Sequence, residues 1–98
     1  MWIGWTEFDL LLGDVHSLKE KRSIVRPILA DLARHHPVSA AEVGAHDLHR
    51  RAVLGVSTVG STAAFVRTVL DDVERAVAER PEIELLSART RLASSEDD

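Results

Sequence analysis

From Trp2 to Leu12 the chain reads WIGWTEFDLLL, with Gly4, Thr6, Phe8, Leu10 and Leu12 on one side and Ile3, Trp5, Glu7, Asp9 and Leu11 on the other. A period of two predicts a half-buried strand. Gly13 and Asp14 break it, and the period then changes. Leu18, Ile24, Val25, Ile28, Leu29 and Leu32 recur at spacings of three and four, which predicts a helix closed by His35, His36 and Pro37. Its start is a capping box in SLKE, where Ser17 can accept from the Glu20 amide while Glu20 reaches back. Pro27 falls inside this pattern. It has no amide proton for the carbonyl of Ser23, so the helix is expected to bend or loosen near Ser23.

Further along, VSAAEV (38–43) reads as a short strand, GAHDLHR (44–50) as a loop, and AVLGVSTV (52–59) as a strand rich in β-branched residues. Gly60, Ser61 and Thr62 offer a turn and an N-cap. Phe65, Val66, Val69, Leu70, Val73 and Val77 then recur at helical spacing until Pro81 stops the helix, and residues 82–92 make a last strand. The order β-α-β-β-α-β in so short a chain points to an α+β, ferredoxin-like domain: a four-stranded antiparallel sheet with two helices on one face.

A length of 98 residues suits one small domain, assigned to residues 1–92, with 93–98 as a disordered, solvated acidic tail. The absence of cysteine excludes disulfides, thiolate metal sites and a cysteine nucleophile. Neither a membrane-spanning run nor a secretion signal is seen, so a cytoplasmic, membrane-free protein is expected.

The net charge of −4 conceals an uneven distribution. Between Lys19 and Arg34 stand five basic residues against Glu20 and Asp31, whereas Asp71 to Glu84 holds six acids against Arg75 and Arg80. On a wheel of about 100° per residue, Lys19, Arg22 and Arg26 form one stripe opposite Ile24, Ile28 and Leu32, while Lys21 falls among the apolar positions. A solvated helix face explains such a stripe. An electrostatic footprint for phosphate, with RNA the favoured polyanion, explains it too, and the helix N-terminus near Ser17 would help. His49, Arg50 and Arg51 are expected to extend this patch.

No constellation for catalysis stands out. Glu7 and Asp9 are paired carboxylates on one strand face, but they read as solubility devices and edge guards, and no serine has a histidine in a nucleophile context. His46 and His49, with Asp47 nearby, lack a third ligand of the kind zinc requires, so neither a metal nor any other cofactor is expected. On the sheet face away from the helices, Ile3, Trp5 and Leu11 present apolar surface. Without further aromatics there, the face reads as a protein contact, with a homodimer favoured.

Taken together and in order, the opening IG and the segments HSLKEKRS, VSAAEVGAHDLHRRAVLGV and PEIELL resemble the YlxP-like family of small bacterial proteins up to about residue 92. The resemblance implies a ferredoxin-like fold, frequent self-association and, from the usual company of family genes, a role beside translation initiation and ribosome maturation. Ribosomal RNA or a ribosome-bound factor is then the expected partner. The family's signature segment corresponds to Ser17, Leu18, Lys19, Glu20, Lys21 and Arg22, and its second segment to Glu42, Val43, Gly44, Asp47 and Leu48. His49 stands where members often carry tryptophan, and Ala45 and His46 replace a more usual polar pair. Lys21 and Glu42 are expected to meet as an internal ion pair that locks helix to sheet, which leaves Lys19, Arg22 and Arg26 free for a partner.

Overall fold

The computed structural model describes residues 1–96, arranged as β1 (Trp2–Leu12), α1 (Leu18–His35), β2 (Ser39–Gly44), β3 (Arg51–Gly60), α2 (Ala63–Ala78) and β4 (Ile83–Ser94). The strands form one sheet in the order β2-β3-β1-β4 with every neighbouring pair antiparallel, which is the ferredoxin-like topology. β1 is therefore central. Glu7 and Asp9 lie on an interior strand and guard no edge; instead they pair across the sheet with Arg89 and Arg51.

The alternation of β1 survives folding. Thr6, Phe8, Leu10 and Leu12 are buried beneath the helices together with Ala52, Leu54 and Val56 of β3, Val25, Ile28 and Leu32 of α1, and Val66, Leu70, Val73 and Val77 of α2. Each fully buried large side chain contributes about 1.5–3 kcal/mol of hydrophobic stabilisation. Thr6 and Thr58 are buried polar side chains on that face: the Thr6 hydroxyl meets its cross-strand partner Thr90 at 2.8 Å, and the Thr58 hydroxyl donates to the Pro37 carbonyl at 2.7 Å. Gly4 shows why β1 opens as it does: a Cβ there would lie 2.3 Å from Val66 Cγ1 and 2.8 Å from Leu70 Cδ1. Only a residue without a side chain lets α2 approach the sheet this closely.

α1 runs past Pro27 as one helix, Leu18–His35, with Ser17 capping it by accepting from the Glu20 amide at 3.1 Å. Two features differ from the sequence reading. The Glu20 carboxylate reaches back to the amide of His16 at 3.4 Å, one residue short of the box expected. β4 runs two residues further than predicted, because Trp2 and Ile3 need partners on that side and find them in Ser94 and Ala93. Ser95 donates to the Met1 carbonyl at 2.8 Å, so the ladder carries into the stretch assigned to the tail. Asp97 and Asp98 of that tail lie outside the described residues.

Candidate functional site

The N-terminal half of α1 sorts four cations by helical phase. Lys21 precedes Val25, Ile28 and Leu32 by four, seven and eleven residues, the spacing of one helix face, and all four are buried. The Lys21 side chain is 2% exposed, a state a lone ammonium does not tolerate. Its Nζ is met on three sides. It donates to the carbonyls of Ala45 at 2.7 Å and Leu48 at 2.9 Å, and it lies 2.8 Å from Glu42 Oε2.

β2 delivers that carboxylate. A bulge between Glu42 and Gly44 shifts the register, and Glu42 stands opposite Leu54, whose side chain is in the core, so Glu42 faces the helices. Its Oε2 makes a charge contact with Nζ and is otherwise buried without an aligned hydrogen bond. The two carbonyls belong to the β2–β3 connection, where Leu48 donates to Ala45 across a tight turn and Ala45 adopts a left-handed φ of 57°. Lys21 therefore ties the start of α1 to both the end of β2 and the loop beyond it. The expected Lys21–Glu42 pair is present, and the loop carbonyls complete it.

Lys19, Arg22 and Arg26 turn the other way. All three are exposed, and with Ser23 and Pro27 they line a shallow hollow of about 350 Å³. Among the described residues none of the three makes a salt bridge, whereas Arg34, Arg51, Arg75, Arg80 and Arg89 each have a carboxylate partner. Asp31 is shared between Arg34 and Arg80, and Arg80 also meets Glu82 at 3.1 Å. The hydrogen bond from Arg80 holds the Asp31 carboxyl below its usual range despite partial desolvation, with Arg34 adding to the effect. For Arg80, burial opposes the charged form, but hydrogen bonds to Asp31 and Glu82 more than offset it and its pKa is raised. These two acids answer charges at the far end of α1 and leave the stripe alone.

Of the remaining cations that the sequence grouped with the stripe, Arg51 is placed elsewhere. Arg51 projects from the open face of the sheet, where it donates to both Asp9 oxygens at 2.6 and 3.2 Å, and this hydrogen bonding, with the charge of Asp9, raises its pKa. It does not extend the basic patch: Arg51 pairs with Leu11 in the strand register, and that parity points away from the helices. Arg50 donates through Nε to the Gly13 carbonyl at 3.0 Å, and His49 is exposed in the loop anchored by Lys21. The Ser17 oxygen serves as the helix cap, so only its proton is left to meet an anion. His46 sits 3.3 Å from the Glu42 carbonyl, and no group of three ligating side chains occurs among the described residues.

A second surface lies on the open sheet face. Trp5, 40% exposed, borders a hollow of about 300 Å³ with Val43, Ala41, Ser57 and Gly55. Gly55 and Val43 make its floor, since a Cβ on residue 55 would lie 2.9 Å from Val43 Cγ1. Ile3 and Leu11 share this face but are half-buried. The sequence reading missed the part played by Val43, although the alternation that turns Glu42 toward the helices sets Ala41 and Val43 together on this face.

The fold and these surfaces define a small ferredoxin-like domain with a basic helix face whose three cations make no salt bridge among the described residues. The chain belongs to the family described as "Protein of unknown function (DUF503)", whose profile matches residues 3–90. It is similar to the uncharacterized protein YlxP of Bacillus subtilis (strain 168), with 33% identity over 88 residues that cover 90% of this chain and 96% of the relative. No helix among the described residues is long and apolar enough to cross a membrane.

Proposed function

We propose that this protein is a cytoplasmic, non-catalytic binding protein that docks on RNA phosphate, at the ribosome, through the outer face of α1. The observation that carries the reading is the contrast within one helix. Lys21 is fully engaged inside the fold, while Lys19, Arg22 and Arg26 stand together in solvent without an acidic partner among the described residues. Unpaired neighbouring cations repel one another, and a polyanion relieves that repulsion while releasing its own counterions. Three phosphate contacts give a log–log slope of affinity against salt of about −3 on a duplex and about −2 on a single strand.

The test is sedimentation of the protein through a sucrose gradient, with and without ribonuclease, beside a Lys19→Glu, Arg22→Glu, Arg26→Glu variant. Co-migration with a ribosomal subunit that both treatments abolish is the expected result. Wild type that stays at the top in low-salt buffer would end the ribosome reading.

The hollow at Trp5 supports a second reading, in which the open sheet face covers itself against another copy of the chain without touching RNA. Trp5→Ala would then shift sedimentation equilibrium toward monomer, and an unchanged monomeric mass for wild type would remove the dimer.

A further inference from the structure

Pro27 is the feature of α1 that neither packing nor charge explains. It is exposed, so it fills no core position, and a proline inside a helix costs about 3 kcal/mol. Its chemical effect is local. In a regular helix the carbonyl of residue 23 accepts the N–H of residue 27. Pro27 has no N–H, so the Ser23 carbonyl is deprived of its helical donor. The Ser23 hydroxyl is no substitute, because it is turned to donate to the Glu20 carbonyl at 2.6 Å. The Ser23 carbonyl is therefore left without a helical donor, and Ser23 and Pro27, both exposed residues, line the hollow that Lys19, Arg22 and Arg26 surround.

A ligand that matches this hollow needs negative charge and, between its charges, a hydrogen-bond donor. Phosphate oxygens supply the first and cannot supply the second. A ribose 2′-hydroxyl can, and deoxyribose lacks it. The lining contains no aromatic ring on which a base could stack, which directs recognition to the sugar-phosphate backbone. We infer that the hollow reads the RNA backbone: the Ser23 carbonyl, released by Pro27, accepts a hydrogen bond from a ribose 2′-hydroxyl while Lys19, Arg22 and Arg26 hold the neighbouring phosphates. This rests on the phosphate-docking reading above and adds to it a means of telling RNA from DNA.

The experiment compares a fluorescent RNA hairpin with its fully 2′-O-methylated counterpart, which keeps the helical form and every phosphate but loses the hydroxyl proton. Affinities are read by fluorescence anisotropy for wild type and for Pro27→Ala, whose new amide occupies the Ser23 carbonyl, with circular dichroism confirming the fold. Wild type is expected to bind the methylated hairpin roughly three- to tenfold more weakly, as for loss of one hydrogen bond. Pro27→Ala is expected to bind both within about twofold, since its acceptor is already filled. An equal penalty in the two proteins would mean that methyl bulk, not the carbonyl, is being sensed, and would overturn the inference while leaving phosphate docking intact. No binding of either hairpin by wild type, at low salt, would overturn both.

Discussion

Replacing Lys21 by methionine removes an ammonium from a site where it is 2% exposed and has three oxygen partners. Methionine nearly fills the volume, so the cost is electrostatic and polar. Breaking a buried ion pair by deleting one partner costs about 3–5 kcal/mol, because the other charge stays behind in low dielectric. Glu42 is 21% exposed and can recover some hydration, which places the expected loss near the lower bound, about 3 kcal/mol. The carbonyls of Ala45 and Leu48 also lose a donor, but they belong to a surface loop and can turn to water. For a domain of this size, 3 kcal/mol corresponds to a fall in Tm of about 12–24 °C. Urea titration followed by circular dichroism measures it directly. Completing the cycle with Glu42→Leu and the double variant isolates the ion pair, and the double variant is expected to be more stable than Lys21→Met alone. A loss below about 1 kcal/mol for Lys21→Met, with no coupling to Glu42, would refute the argument that this lysine is a structural clamp.

Gly4→Ala should destabilise by about 1–3 kcal/mol through overlap with Val66 and Leu70, and Val66→Ala in the same chain should recover part of that loss in thermal melts. Ala45→Gly relieves a left-handed φ of 57° and should stabilise by about 0.5–1 kcal/mol, once the extra backbone entropy of glycine is subtracted, as a shift in urea midpoint would reveal. Asp31 has a folded pKa below its unfolded value, so its contribution to stability is present above the ordinary carboxylate range, about pH 4, and is lost as pH falls through the folded value. Asp31→Asn should therefore lower Tm at neutral pH and flatten its fall with acid, and parallel Tm curves for the two proteins from neutral to acid pH would contradict this.

Several of these residues were legible before folding. The alternation of β1 assigns Phe8 to the core and Trp5 to the open face, and the helical phase of Lys21 among Val25, Ile28 and Leu32 marks it as buried. These assignments hold because periodicity is local: spacings of two or of three and four are properties of the backbone, independent of what lies opposite. That Lys19, Arg22 and Arg26 have no acidic partner among the described residues was half legible, since the wheel groups them but says nothing about acids from other elements. Arg51 illustrates the limit. Adjacent to Arg50 in sequence, it joins Asp9 on the opposite layer because the β1–β3 register sets its parity.

By itself, then, the sequence determined the order of elements, the cap at Ser17, the core faces of β1, α1 and α2, and which cations of SLKEKR face in or out. Tertiary structure alone decided that β4 continues to Ser94 beside Trp2, that Asp31 serves Arg80, and that the carbonyls of Ala45 and Leu48 close the cage around Lys21. The physical reason is the same for each. Such partners meet only when register, a bulge and a turn bring distant segments within hydrogen-bond range, and backbone carbonyls, which every residue carries, leave no mark in the sequence of side chains.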